Sequence, residues 1–146
     1  MIVGTGVDLL EIDRMERLLA RHGPPAKVFA PEEIEACRAE RFGPRRTAER
    51  LAGLFAAKEA VMKALGTGWS GGVAFTEIRI DHTEAGRPEV HLSGRAEAAA
   101  KALGADRVHL SITHAAGLAL AFAVLERTSP ETGPGVHGVR WDKEGS

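Results

Sequence analysis

The sequence predicts an α+β domain, a largely antiparallel sheet with helices packed on one side. Three observations carry that prediction. Apolar residues recur at helical spacing through the first half of the chain, at Met15, Leu18 and Leu19 and again at Leu51, Phe55, Met62 and Leu65. From Val73 onward the period moves towards two, with Phe75, Ile78 and Ile80 and later Val108, Leu110 and Ile112. Two short links, Glu84-Ala85-Gly86-Arg87 and His114-Ala115-Ala116-Gly117, separate runs of this second kind as hairpin turns do, and hairpins make antiparallel pairs.

Taken in order, Met1–Leu10 reads as a buried strand in which Ile2, Val3, Val7, Leu9 and Leu10 are aliphatic and Gly4 and Gly6 interrupt the run. Glycine weakens a strand unless a backbone approaches closely or a bulge is needed. Asp8, near the strand's end, reads by itself as a turn former or helix cap. Asp13 is placed to cap a helix Arg14–His22, whose Arg14, Arg17 and Arg21 line a face apart from the apolar one, and Gly23-Pro24-Pro25 stops it. Pro31-Glu32-Glu33 is a favourable first turn for a second helix, running to about Arg41 and ended by Gly43-Pro44. A long helix from about Thr47 to Leu65 follows, with Gly66 as its C-cap, and Trp69-Ser70-Gly71-Gly72 reads as a loop able to close over a ligand. A strand beginning Phe75, Ile78, Ile80 and a strand Pro88–Leu92 make the first hairpin, since proline at a strand start loses nothing by its missing N–H. Ser93 caps an alanine-rich helix to Leu103, closed by Gly104; Arg107–Thr113 and Leu118–Glu126 make the second hairpin. Residues 128–146 are rich in Gly, Pro and charge and read as a mobile tail, with Val136, Val139 and Trp141 as its only apolar anchors.

A chain of 146 residues makes one domain with room for a proper core. A net charge of -1 argues against a general nucleic-acid binder. Arg38, Arg41, Arg45, Arg46 and Arg50 nevertheless cluster, by default as a solvated face and otherwise towards an acidic partner or a phosphorylated ligand. Cys37, the single cysteine, excludes an internal disulfide and lies in a polar helix expected to be exposed. The N-terminus is apolar for only a few residues before Glu11 and Asp13, so it reads as neither signal peptide nor membrane span, and the expected location is the cytoplasm.

The chemistry concentrates on one helix. Within Phe55–Gly68, FAAKEAVMKALGTG, Lys58 falls on or beside the buried stripe, where a charge needs a reason. Glu59 and Lys63 are four apart and project from one face; in isolation such a pair is a solvated salt bridge. Asp8 at a strand end, Glu59 on a helix and His114 in a hairpin occupy positions from which rigid elements can present side chains to a shared cleft. Two carboxylates without cysteine suit a hard cation, and Mg²⁺ commonly takes only one or two, completing its shell with water and phosphate oxygens. Lys63 could then hold a phosphate as a point charge, with Lys58 in support, a set fit for phosphoryl or phosphodiester transfer without a covalent enzyme intermediate. Gly4-Thr5-Gly6 lacks the later glycine of a dinucleotide loop, and no G-x-x-x-x-G-K-[ST] segment is present.

Three stretches taken together are more specific. GTGVDLLEIDRM at Gly4–Met15, FAAKEAVMKALGTG, and LSITHAAGLALAFAVLE at Leu110–Glu126 resemble, in order and spacing, the signatures of bacterial holo-[acyl-carrier-protein] synthases, the small 4′-phosphopantetheinyl transferases. The likeness covers about residues 1–126, and K-E-x-x-x-K-A-L-G is its most diagnostic part. It implies a 4′-phosphopantetheinyl transferase-like fold and a transferase domain at residues 1–127. The implied reaction moves the phosphopantetheine arm of coenzyme A to a serine of apo acyl carrier protein, releases 3′,5′-ADP, and supports fatty acid biosynthesis. By that resemblance Asp8 and Glu59 bind Mg²⁺, and Asp8, Glu59 and Lys63 are the catalytic set, with Glu59 or a metal-bound water as base. Coenzyme A is met by Lys63, Gly66, the hairpin residues Gly86, Arg87 and Pro88, and Ser111, Thr113 and His114. Arg14 meets the acidic helix of the carrier, and Arg17 and Arg21 extend that contact. The family is typically a homotrimer with sites between subunits, Asp8 and His114 from one chain and Glu59 from its neighbour or a similar division, and neither nucleic acid nor membrane is a partner.

Two departures stand out. Leu54 replaces an arginine frequent in the family, which withdraws a basic contact to coenzyme A or to a neighbour, and Leu118 replaces an aromatic residue. Two other readings remain open: a carrier-protein or nucleotide-binding module that kept the pocket and lost turnover, and a Mg²⁺-dependent phosphohydrolase on the same scaffold. The intact Asp8, Glu59 and Lys63 set speaks against the first, and turnover of coenzyme A without any carrier would mark the second.

Overall fold

Strand β1, Ile2–Glu11, runs directly into helix α1, Ile12–His22; α2 is Pro31–Cys37, and α3, the longest element, is Pro44–Leu65. A 3-10 turn at Phe75–Glu77 leads into the hairpin of β2, Ile78–His82, and β3, Pro88–Leu92. Helix α4, Gly94–Ala102, then precedes the hairpin of β4, Arg107–Ala115, and β5, Leu118–Glu126. The computed structural model describes residues 1–38, 42–68 and 71–128. The predicted helix end at Arg41, the loop residues Trp69 and Ser70, and the tail residues Val136, Val139 and Trp141 lie outside the described residues.

Every strand pair is antiparallel, as predicted, but the strands divide into two sheets, β1-β5-β4 and β2-β3. Helix α3 sits among the other elements and is buried on almost every side, from Ala48 and Leu51 through Ala56, Ala57, Ala60 and Val61 to Leu65. A helix enclosed all round carries apolar or small residues all round, so the stripe of Leu51, Met62 and Leu65 is only part of its buried surface. Its alanines let the larger sheet come close. A Cβ on Gly4 would lie 2.1 Å from the Ala64 carbonyl oxygen, and one on Gly6 would lie 1.9 Å from that of Ala60. The two glycines are therefore the close-approach residues that a strand interior otherwise disfavours. Strand β5 meets the same helix with Ala119, Ala121, Ala123 and Leu125, all buried.

The other face of this sheet is bare. Val7 pairs with Phe122 and Leu9 with Leu120, and Val7, Leu9 and Phe122 are 50%, 52% and 45% exposed. The expectation of a wholly buried first strand is thus corrected: helices cover one face only, and the two-residue period of a strand sends every second aliphatic side chain to the other.

Other boundaries also moved for physical reasons. Because β1 passes into α1 without a turn, Glu11 is the N-cap and Asp13 lies inside the first helical turn rather than capping it. Asp13 and Glu16 instead engage Arg45, clamping α1 to α3 and removing one arginine from the predicted free cluster. Pro44, read as the end of the preceding helix, opens α3, where its missing N–H has no intrahelical role. Gly66 closes α3 in the left-handed conformation, φ 72, as expected. Cys37 is buried, not exposed, and burial pushes its thiol pKa up. Phe75 lies in the 3-10 turn rather than the strand, its ring stacked on Phe55 at 5.3 Å. No helix among the described residues is long and apolar enough to cross a membrane.

Candidate active site

The strand that carries Gly4 and Gly6 towards α3 places Asp8 on the same side, because residues two apart share a face. Lys63, near the end of α3, reaches across. Its Nζ donates to Asp8 Oδ1 at 2.9 Å and to the Val7 carbonyl at 2.9 Å. Glu59, one turn earlier on α3, is buried, and its carboxyl pKa is raised, first by burial and then by the negative charge of Asp8, with Lys63 opposing. Sequence spacing paired Glu59 with Lys63 across one helical turn; the structure turns the ammonium to Asp8 instead. The three groups form one cluster, with two carboxylates close enough for the charge of Asp8 to add to the burial that raises the Glu59 pKa and a lysine partly neutralising them.

Lys58 does not join it. Fully buried, its Nζ donates to Glu33 Oε1 at 2.7 Å and to the carbonyls of Val28 at 2.8 Å and Phe75 at 3.2 Å. Glu33 in turn accepts from the backbone N–H of Ala30 at 2.8 Å and of Ile80 at 3.0 Å. The expected phosphate-supporting role is therefore corrected: successive helical residues point about 100° apart, so Glu59 faces the Asp8 cluster while Lys58 ties α3 to α2, the 3-10 turn and β2. Burial lowers its pKa, against the opposing charge of Glu33.

Further along α3 lies a cleft of about 520 Å³, whose walls include Gly86, Pro88 and His114 together with Gly53 and Leu54. His114 Nε2 lies 2.8 Å from the Glu49 carbonyl, so that nitrogen carries the proton and donates. Gly53 is the close-approach residue here: a Cβ on it would fall 2.9 Å from His114 Nε2. Three predicted coenzyme A residues thus share one cleft, and the departure at Leu54 lies in its wall. Arg87 is exposed at the hairpin and Gly66 at the helix end, and neither is among the residues lining the cleft.

Ser111 and Thr113 are elsewhere. They alternate with Ile112 and His114 along β4, so they belong to the bare face, where Ser111 pairs with Phe122 and Thr113 with Leu120. The chain therefore gathers Asp8, Glu59 and Lys63 in one place and divides the remaining set between the cleft and the bare face. This grouping puts Asp8 beside Glu59 of its own chain, unlike the expected division that paired it with His114. Arg14, Arg17 and Arg21 are all exposed on α1 and form no ion pair among the described residues. Sequence reasoning missed Arg79 in the cleft and left Arg50 inside a general cluster, although Arg50 stands four residues before Leu54 on one helical face.

A sequence profile described as the 4′-phosphopantetheinyl transferase superfamily matches residues 4–123. The chain belongs to that superfamily. It is 51% identical over 129 residues to a holo-[acyl-carrier-protein] synthase of Alkalilimnicola ehrlichii, covering 86% of this chain and 98% of that protein. It is also similar to the crystal structure of holo-[acyl-carrier-protein] synthase from Neisseria meningitidis, with a TM-score of 0.71 and 35% identity over 87% of this chain and 100% of that one. A holo-(acyl-carrier-protein) synthase from Bacillus anthracis, solved in complex with CoA (3′,5′-ADP), gives a TM-score of 0.70 and 35% identity over 88% and 99% of the two chains. The transferase match takes in both the Asp8, Glu59 and Lys63 cluster and the cleft with His114.

Proposed function

We propose that this chain is a holo-[acyl-carrier-protein] synthase: it moves the 4′-phosphopantetheine group of coenzyme A to a serine of apo acyl carrier protein and releases 3′,5′-ADP. The observation that carries the reading is the meeting of Asp8, Glu59 and Lys63 where β1 crosses α3. In the reaction the serine oxygen bonds to the phosphorus that bears the pantetheine arm, the bond from that phosphorus to the 3′,5′-ADP oxygen breaks, and the serine proton leaves. Glu59 takes that proton. Its pKa, raised by burial and by the charge of Asp8, strengthens it as a base. Lys63 offsets the charge that develops on the phosphate oxygens.

The donor set fits Mg²⁺. Two carboxylates share a negative field that a lysine ammonium now partly fills, and no group of three His, Cys, Asp or Glu side chains stands together among the described residues. A hard cation held by one or two carboxylates and completed by water and substrate oxygens matches that arrangement. Asp8 and Glu59 would hold the ion, which supplies charge neutralisation at the diphosphate.

Substrate binding is assigned by chemistry. The cleft with Gly86, Pro88 and His114, flanked by Arg87, takes the nucleotide, and Ser111, Thr113 and Gly66 complete the coenzyme A contacts. Arg14, Arg17 and Arg21, which form no ion pair among the described residues, take the acidic face of the carrier by steering. Ser111 and Thr113 share a sheet with His114 but face the other way, so one protomer cannot wrap all of them round one ligand. A homotrimer with sites between subunits resolves this, and the bare apolar face around Val7, Leu9 and Phe122 is the surface such packing would cover. We assign the transferase domain to residues 1–127 and the protein to fatty acid biosynthesis in the cytoplasm, a compartment suited to a single unpaired cysteine.

The test is release of 3′,5′-ADP from coenzyme A with Mg²⁺ and apo carrier, read by chromatography alongside the mass gain of the carrier. A binding module releases none. Release that does not need the carrier would mark a phosphohydrolase and overturn the reading.

A further inference from the structure

Helix α1 carries two acids, Asp13 and Glu16, among the arginines Arg14, Arg17 and Arg21. Buried Ile12 and Met15 define its inward side. At about 100° per residue, Glu16 follows that inward side around the helix, Asp13 comes next, and Arg17 lies about 40° beyond Asp13, with Arg21 and Arg14 past it. The acids therefore border the arginine face. Within the helix Asp13 would pair with Arg17, because an acid four residues ahead of a base is the favoured order. The structure does otherwise. Arg45, in the first turn of α3, turns its Nη1 to Asp13 Oδ1 and to Glu16 Oε2, the second at 2.7 Å, and Arg17 forms no ion pair among the described residues. Two observations show that this contact is not there to hold the fold. The side chains of Arg45, Asp13 and Glu16 are 45%, 65% and 42% exposed, and exposed ion pairs add little to stability. Helix α1 is already seated by Ile12 and Met15 and by the Ile12 N–H, which donates to the Gly117 carbonyl at 2.9 Å. Helix α3 itself gains nothing from the arginine, since its first turn holds cations and no acid, against the preference of the helix dipole. What Arg45 changes is charge: one negative charge stands at the edge of the arginine face where two would stand without it.

We propose that Arg45 is a positioning residue for carrier recognition, acting through Asp13 and Glu16: it masks two acids that would repel an acidic partner and keeps Asp13 from occupying Arg17. The inference rests on the proposed function for the identity of the partner, the acidic face of the carrier, and adds to it a residue on another helix that does not touch that partner. Charges at the rim of an interface act mainly on encounter and on its salt dependence. Loss of Arg45 would weaken the arginine face twice, by exposing the second negative charge and by returning Asp13 to Arg17. Two other roles for the same contact predict different behaviour. A mechanical clamp between α1 and α3 is broken equally by removing the arginine or the acids. A direct contact from Arg45 to the carrier is lost whenever Arg45 is, whatever stands at positions 13 and 16. Masking alone makes docking follow the summed charge of the three positions.

The experiment measures KM for apo acyl carrier protein and for coenzyme A at low ionic strength in the wild type, Arg45→Met, Asp13→Asn/Glu16→Gln and the triple variant that combines them. Arg45→Met is expected to raise the carrier KM about two- to fivefold, the range Coulomb's law gives for a unit charge between roughly 10 and 4 Å in water. The acid-pair variant should lower it, and the triple variant should fall at or below the wild type. The KM for coenzyme A and kcat should stay constant throughout, and the differences should fade in about 1 M salt, where the screening length is about 3 Å. Equal weakening in Arg45→Met and the acid-pair variant overturns the proposal in favour of a clamp. A triple variant as weak as Arg45→Met overturns it in favour of direct contact, and a raised KM for coenzyme A in Arg45→Met overturns it as well. Binding of apo carrier without coenzyme A, read by fluorescence anisotropy, separates this inference from the function. Where the wild type binds the carrier and transfers nothing, the function fails, and affinities that follow the charge order support masking; where transfer is intact and that order is absent, masking fails alone. Should Arg45→Met lose its fold by circular dichroism, Arg45→Gln carries the same comparison, and a carrier KM unmoved there overturns the proposal.

Discussion

Gly6→Ala tests whether the contact between β1 and α3 sets the geometry of the proposed catalytic cluster. The added Cβ would lie 1.9 Å from the Ala60 carbonyl oxygen and 2.7 Å from the Ala64 nitrogen, both backbone atoms that cannot swing away. An ordinary carbon–oxygen approach is about 3.3 Å, so strand and helix must part by roughly 1.4 Å. Overpacking of this kind costs about 1–3 kcal/mol, or more where the obstacle is backbone. For a domain of this size each kcal/mol is worth about 3–5 °C in Tm, so a fall of about 3–15 °C is expected. The functional effect should be the larger one, since Asp8 lies two residues beyond Gly6 and its bond to Lys63 spans the same gap. A misplacement of about 1 Å in a catalytic group can cost on the order of a hundredfold in rate. Thermal melting and steady-state transfer kinetics read the two effects, with Gly43→Ala as control, since a Cβ there meets nothing within 4 Å. A Gly6→Ala protein with unchanged Tm and full kcat would refute the argument that the close approach positions Asp8.

Three further outcomes follow from the structure. Because burial and Asp8 raise the Glu59 pKa, its carboxyl should titrate by carbon NMR above the ordinary glutamate range and shift down in Asp8→Asn; the folded state then holds that proton more tightly than the unfolded chain, so this contribution to stability is full below the unfolded pKa and lost as pH rises through the folded one. A Glu59 titration unmoved by Asp8→Asn would contradict the coupling. Lys58→Met strands the Glu33 carboxylate in the core and should cost about 3–5 kcal/mol by denaturant unfolding, with partial recovery in Lys58→Met/Glu33→Gln; an unchanged unfolding midpoint would show that the pair is not an anchor. Phe122→Asp places a charge in the bare sheet face and should convert a trimer to monomers by light scattering with loss of transfer; a wild-type protein already monomeric and active would end the assembly proposal.

The sequence carried the fold where the signal was local. Pro31 at a helix start, Gly66 at a helix end and the Gly86 and Gly117 hairpins follow from backbone chemistry that any context preserves, and these elements stand where predicted. What failed depended on partners distant in the chain. Polar neighbours made Cys37 look exposed, but α2 packs against α3 and the adjoining Glu33 is neutralised by Lys58, twenty-five positions on. The glycines of β1 announced a close approach without naming Ala60 and Ala64 as the other side. Asp8, Glu59 and Lys63 were legible as a set through their motifs, whereas the rotation of Lys63 away from Glu59 towards Asp8 was not, because helix spacing ranks only intrahelical neighbours.

Lys58 and Glu59 show why a charged pair of adjacent residues can serve two ends. Along an enclosed helix, consecutive side chains leave in directions about 100° apart, so one can be spent on the interior while the next is presented to Asp8 on the neighbouring strand. The Lys58 ammonium makes three hydrogen bonds that fix α3 in rotation and in height against α2, the 3-10 turn and, through Glu33, β2. The sheet fixes the opposite side of the helix through alanines and glycines that leave no slack. Glu59 therefore has little freedom to drift from Asp8, and the repulsion that adds to burial in raising its pKa is held in place rather than relieved by movement. On that argument the buried ion pair acts on catalysis by positioning. Lys58→Met should lower kcat more than it changes KM for coenzyme A, even at temperatures where the variant is fully folded.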